Sequence, residues 1–330
     1  MNNINTLETL ASEPENGQGE LADGSKTDRI AEEGYIPMEE KEALLQLVAD
    51  ALHINKSSVS SIEPLAGLTN RNYKIVIGEN EYAVRVPGKG TEKYLNRASE
   101  KMVSEKVSDL GINPKVTYFN EKTGLKIVEY IPEAETLNGD TGKRGENLAM
   151  VAEIFRTLHQ SGETFDDRFD VFEKITEYEE VLKDAEQPII EGYDEVKKEV
   201  LQLKDDYLAL NVKLAPCHID PLTENFVKSG KNNMYLIDWE YAGMNDPFWD
   251  VAAYIVETEL TDAEEKIFLL EYFNGEIHEN DLKRLLMNKI FQDFLWTIWA
   301  LMKEQSGDDL GSYAETRFAR AKENLKKIGK

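Results

Sequence analysis

His218 and Asp220 are followed by Asn225, five residues beyond the aspartate, and by Ile237-Asp238, whose aspartate lies thirteen beyond the asparagine. In chain order these supply a carboxylate able to take a proton from an alcohol, an amide oxygen and a second carboxylate. Phosphoryl transfer from a magnesium nucleotide requires such oxygen groups, because the metal is hard and a further group must orient the nucleophile. The intervening segment has the pattern that would bring them together. Phe226-Val227-Lys228 and Met234-Tyr235-Leu236-Ile237 are short apolar-rich runs around Ser229-Gly230-Lys231-Asn232-Asn233, a pattern of two strands and a turn. Folding back there sets Asn225 and Asp238 at one hairpin mouth, where both could hold one Mg2+ at about 2.0–2.1 Å. Asp220 would sit one short loop away. A hairpin that happens to carry surface polar residues is the plainer alternative. It explains neither the His-x-Asp nor an aspartate closing an apolar strand.

Residues 217–254 resemble the catalytic core of the choline/ethanolamine kinases, in the aminoglycoside-phosphotransferase-like branch of the protein-kinase-like superfamily. Ile237-Asp238-Trp239-Glu240-Tyr241-Ala242-Gly243 and Asn245-Asp246-Pro247-Phe248-Trp249-Asp250 look like the corresponding stretch of the bacterial choline kinases. The similarity runs from about residue 60 to the C-terminus. It implies a two-lobed protein-kinase-like α+β fold, with a small antiparallel-sheet N-lobe carrying one helix and a large, mainly helical C-lobe. It also implies transfer of the γ-phosphoryl of MgATP to choline, with Asp220 as proton acceptor and Asn225 and Asp238 as Mg2+ ligands. One departure is visible: many relatives have Asn where Ile219 stands. That side chain is not the proton acceptor, so the change is expected to be tolerated.

The elements that must position these groups are legible as periodicity. Leu44, Leu45, Val48 and Leu52 recur at helical spacing between Met38 and Leu52. Tyr73-Lys74-Ile75-Val76-Ile77 and Glu81-Tyr82-Ala83-Val84-Arg85-Val86, separated by Gly78-Glu79-Asn80, read as a strand pair. A helix is expected from about Asn96 to Leu110, stopped by Gly111 and Pro114, then strands near Lys115–Phe119 and Leu125–Tyr130. Strand, strand, helix, strand, strand is the order of a kinase-like small lobe, and the chain after Pro132 reads as mainly helical. The expected division is an acidic disordered tail over 1–34, a nucleotide-binding lobe over 35–132 and a catalytic lobe over 133–330.

Leu65-Ala66-Gly67-Leu68-Thr69-Asn70-Arg71-Asn72-Tyr73 stands where backbone N–H groups and small polar side chains, Thr69 and Asn70 among them, could cover phosphates. With one glycine it reads equally well as an ordinary polar turn. Strand alternation puts Arg85 on the face opposite Tyr82, Val84 and Val86, and the resemblance gives it contact with ATP phosphates. Glu100 matches the family's helix glutamate that pairs with this arginine; Glu105 is its competitor on the same charged helix. Glu129-Tyr130-Ile131-Pro132 resembles the segment in which backbone groups, at Glu129 and Ile131, meet adenine.

Trp296 and Trp299 lie at i and i+3 on one helix face, and Tyr313 follows. Three rings and a carboxylate suit a quaternary ammonium, which has no N–H to donate and relies on cation–π contact and charge. Glu257 stands seven residues, two helical turns, after Asp250, and the family's choline-contacting glutamate falls at this spacing. Paired tryptophans are otherwise commonly core and helix glutamates commonly solvated. Cys217 and His159 read as core residues, and His218 as a loop-holding hydrogen bonder.

The 330-residue chain carries a formal charge of −25, of which the first 34 residues account for −6, with eight acids against two bases. That balance disfavours nucleic acid and anionic membrane surfaces and is compatible with a cationic small molecule, though acidity most often serves solubility. One cysteine excludes an internal disulfide, no apolar run reaches the ~20 residues of a membrane span, and the start lacks a signal peptide pattern, so a cytoplasmic protein is expected. The alternatives are a kinase for ethanolamine, thiamine or an aminoglycoside, and a catalytically silent kinase-fold binding module.

Overall fold

The computed structural model describes residues 36–65, 70–88, 96–182, 190–305 and 307–328. Along the chain it divides into two compact units, with the boundary between Ala134 and Glu135. Residues 1–34 and Thr69 lie outside the described residues.

The first unit opens with helix α1 (Met38–Leu52), whose first turn carries Glu39 and Glu40 and whose end is closed by His53 in the left-handed region. Acids at the N-terminus interact favourably with the positive end of the helix dipole, and the His53 N–H satisfies the Ala49 carbonyl. Its buried face is Leu44, Leu47, Val48 and Ala51, so Leu47 takes the core position that the spacing assigns to Leu45. An antiparallel five-stranded sheet follows: β1 (Val59–Leu65), β2 (Arg71–Ile77), β3 (Asn80–Val86), β4 (Val116–Phe119) and β5 (Lys126–Glu129), in spatial order β1-β2-β3-β5-β4. β1 escapes sequence reading because Ser60, Ser61, Glu63 and Pro64 hide its pattern. It is an edge strand, where a proline costs no ladder bond. Helix α2 (Arg97–Asp109) lies between β3 and β4 in sequence, and the Asn96 side chain caps it by accepting the Ser99 N–H at 3.3 Å. Leu44, Leu47, Val48, Tyr73, Ile75, Val84, Val86, Leu125 and Ile127 form one core. Each fully buried aliphatic side chain there contributes about 1.5–3 kcal/mol.

The second unit is mainly helical. Its helices are α3 (Gly145–His159), α4 (Val171–Leu182), α5 (Tyr193–Ala209), α6 (Phe248–Glu257), α7 (Asp262–Tyr272), α8 (Glu279–Gln305) and α9 (Tyr313–Ile328). Helix α8 is buried over most of its surface between Leu285 and Ala300 and supplies Met287, Ile290, Phe291, Phe294, Leu295 and Ile298 to the core. Two of its buried amides donate to neighbouring oxygens: Asn288 to Asp246 at 3.0 Å and Gln292 to the Trp249 carbonyl at 2.6 Å. Among the described residues no helix is long and apolar enough to cross a membrane.

Candidate active site

Between α5 and α6 the chain builds a scaffold from short β pieces. Phe226–Ser229 pairs antiparallel with Asn233–Leu236, Phe226 opposite Leu236 and Ser229 opposite Asn233. The turn uses Gly230 at φ 59°, a backbone region that costs glycine nothing. One further bond, Ile237 N–H to the Asn225 carbonyl at 2.9 Å, extends the ladder to the mouth and leaves Asp238 just beyond it, beside Asn225. Asp238 adopts φ 67°, tolerable for an aspartate. Asn225 closes a single 3-10 turn (Thr223–Asn225) and donates Nδ2–H to the Asp220 carbonyl at 3.0 Å. That bond orients the amide so that Oδ1, a hard oxygen donor, is its remaining acceptor.

The loop bearing Asp220 is held from behind. Ala215–Cys217 pairs with Gly243–Asn245, with Gly243 opposite Cys217. The fully buried Asp250, in the first turn of α6, accepts the His218 N–H at 2.7 Å and the Ile219 N–H at 2.9 Å. Trp249 Nε1–H donates to the Ile219 carbonyl at 2.9 Å. His159 Nε2 sits 3.1 Å from Asp250 and Nδ1 sits 2.9 Å from the Tyr272 hydroxyl, so this histidine is satisfied structurally. His218 Nε2–H donates to the Ile237 carbonyl at 2.9 Å, tying loop to hairpin; burial holds its pKa below the ordinary value, keeping the ring neutral. Burial pushes the Cys217 thiol far up, which makes it a core group and no nucleophile. Asp220 itself is pushed up to about 7, first by burial and then by the charges of Asp238 and Glu240, with Arg317 acting in the opposite sense. A carboxylate poised near neutrality is suited to accept a proton from an alcohol.

Ile219 adopts φ 78°, a strained conformation for a β-branched residue, while its side chain is buried in the core of the second unit. The loop is therefore shaped by backbone bonds, and the side chain at this position points away from the chemistry. Ile219→Asn is expected to keep kcat/KM within about threefold, under 1 kcal/mol of transition-state binding. A drop beyond tenfold in steady-state rates would show that the side chain shapes the site.

In the first unit, Arg85 on β3 reaches Glu100 on α2 at 2.5 Å, and Arg97 reaches the other oxygen at 2.6 Å. Burial alone would raise the Glu100 pKa, but Arg85, Lys126 and Arg97 together hold it below the ordinary range. Glu105 is exposed and only 3.8 Å from Lys101, so Glu100 is the partner of Arg85. Asn70 is buried and its Oδ1 accepts the Gly88 N–H at 3.4 Å. The Glu129 N–H is used within the sheet, donating to the Lys115 carbonyl at 2.9 Å, and Ile131 is half-buried just past the strand end.

Trp296 and Trp299 are half-buried, unlike the core residues Trp239 and Trp249. Their rings meet edge-on at 5.8 Å, and Trp299 approaches Tyr313 at 6.4 Å. The structure thus groups the three expected rings. It also adds Arg317, which sequence reading missed: its Nη2 donates to Glu257 and, at 2.8 Å, to the Tyr313 hydroxyl. The signal was available, since Tyr313 and Arg317 are spaced i, i+4 on one helix face. Asp250, noted in the sequence only as a spacing mark, proves to be the loop's main acceptor.

A family model described as choline/ethanolamine kinase matches residues 62–322. The crystal structure of choline kinase LicA from Streptococcus pneumoniae superposes with a TM-score of 0.71 at 36% identity, covering 86% of this chain and 98% of that one. A LicA structure in complex with AMP gives 0.71 at 35% identity, covering 87% and 98%. Protein LicA of Haemophilus influenzae is 28% identical over 285 residues, 84% of this chain and 82% of that protein.

Proposed function

The chain belongs to the choline/ethanolamine kinase family, and on that premise we propose that it transfers the γ-phosphoryl of ATP to the choline hydroxyl, giving phosphocholine and ADP. The observation that supports this reading is the hairpin mouth, where Asn225 is tied to the Asp220 carbonyl through Nδ2–H and to the Ile237 N–H, next to Asp238, through its own carbonyl. Asp220 orients the hydroxyl and takes its proton as the oxygen attacks. Arg85, steadied by Glu100, meets phosphate oxygens. Trp296, Trp299, Tyr313 and Glu257 line the seat of the ammonium. The complex of the LicA relative with AMP supports an adenine nucleotide as donor. Most of the acceleration comes from positioning and charge neutralisation, as phosphoryl transfer demands little else.

Asn225 Oδ1 and the Asp238 carboxylate are a donor set that fits Mg2+, which prefers hard oxygens. When bound, the ion neutralises charge on the phosphates. Asp238→Ala is expected to abolish Mg2+-dependent turnover, and Asn225→Ala to raise the Mg2+ concentration needed for half-maximal rate. Titrating Mg2+ against initial rate checks both; unchanged dependence in both variants would make the hairpin purely structural.

The deciding experiment supplies purified protein with ATP and a panel of choline, ethanolamine, thiamine and an aminoglycoside. Choline is expected to give the highest kcat/KM. Preference for ethanolamine would move the reading to that acceptor, and turnover of none would leave a binding module.

A further inference from the structure

Glu257 on α6 and Tyr313 at the start of α9 offer a carboxylate and a hydroxyl at the proposed acceptor seat. The same guanidinium holds both. Arg317 Nη2 donates to one Glu257 oxygen and, at 2.8 Å, to the Tyr313 hydroxyl oxygen. Its Nη1 donates to Asp293 Oδ1 at 3.1 Å, and Arg320 grips Asp293 through Nε at 2.8 Å and Nη2 at 2.7 Å. The chain Arg320, Asp293, Arg317, Glu257 links α9, α8 and α6.

Burial decides what this arrangement does. The Arg317 side chain is 2% exposed and the Glu257 side chain 19%. A guanidinium that plugged the seat against substrate would be the accessible partner; here the carboxylate is accessible and the guanidinium lies behind it. Two arginines and two acids also cancel in charge, so this network adds no net attraction for a cation. Attraction is left to the ring faces and to the carboxylates around Asp220.

We propose that Arg317 is a specificity-determining positioning residue: by occupying one Glu257 oxygen and the Tyr313 hydroxyl oxygen, it leaves fewer acceptors than the three N–H donors of a primary ammonium require, while a quaternary ammonium requires none. A primary ammonium brings three N–H donors, and each one buried without an acceptor weakens binding. A trimethylammonium brings none and needs only ring faces and a nearby negative charge. Arg317 also stacks on Tyr313, its Cζ 4.9 Å from the ring centroid, which fixes the ring. The inference rests on the choline reading above.

The test measures kcat/KM for choline and for ethanolamine, KM for ATP and Tm in wild type, Arg317→Met and Arg317→Lys. Methionine keeps the apolar stem and frees Glu257 and Tyr313, so the ethanolamine-to-choline ratio is expected to rise at least tenfold with KM for ATP within twofold. Lysine keeps a charge for Asp293 but cannot serve Glu257 and Tyr313 with a fork, so its ratio should fall between the two. It also carries the test if the methionine variant does not fold. A ratio that stays at the wild-type value in the folded variants, with both acceptors losing equally, reduces Arg317 to a structural tie and overturns the inference. Failure of the choline reading would show separately, in the wild-type protein, as turnover of neither acceptor or preference for ethanolamine.

Discussion

Asp220→Asn should lower kcat by at least about 100-fold while leaving KM for ATP within a few-fold, because a carboxamide can hold the hydroxyl but cannot take its proton. The buried setting of Asp220 adds a second signature. Its pKa rises from an ordinary 3.8 to about 7 through burial and the charges of Asp238 and Glu240. The folded state therefore binds this proton more tightly than the unfolded chain, and stability falls as pH rises from about 4 to about 7. Thermal melts of the metal-free protein across that range should show the decline in wild type and a flatter profile in the asparagine variant. At pH 8 the variant should melt no lower than wild type. Turnover within a few-fold of wild type would remove Asp220 from the chemistry.

Asp250→Ala should be the most destabilising change around the loop. It strands the buried N–H groups of His218 and Ile219, which donate to Asp250 at 2.7 and 2.9 Å, and removes a partner of His159. Each orphaned buried donor costs about 1–3 kcal/mol, so a total of several kcal/mol should lower Tm by roughly 6–20 °C. Asp250→Asn retains one carbonyl oxygen and should fall between the two, folded but with reduced kcat because the Asp220 loop has lost half its clamp. Calorimetry with steady-state rates separates the effects. A melting temperature within about 2 °C of wild type in Asp250→Ala would show that the loop is held by other contacts.

Local grammar carried much of the fold. Helix α2 runs between its caps Asn96 and Leu110 as cap chemistry and Gly111 dictate, and the hairpin between Phe226 and Leu236 follows from two apolar runs and a Gly/Asn turn, all contacts short in sequence. Strand β1 stayed hidden because its edge position tolerates Ser60, Ser61, Glu63 and Pro64, which break the alternation that marks a strand. In α1 the spacing found the helix but assigned Leu45 in place of Leu47 to the core, since several leucines satisfy one period and only packing chooses among them.

By itself the sequence determined the grouping of the proposed catalytic residues: Asp220, Asn225 and Asp238 lie within nineteen consecutive residues joined by one hairpin, and a short loop leaves few ways to arrange them. The tertiary structure decided what stands behind that grouping. Asp250 meets the His218 and Ile219 backbone from about thirty residues away, and Arg317 meets Glu257 from 60 residues away. Partners so distant are chosen by how helices pack, because any of the chain's many acids and bases could make the same bond if the fold placed it there. Pattern specifies neighbours in sequence; burial and packing select which distant charges must pair.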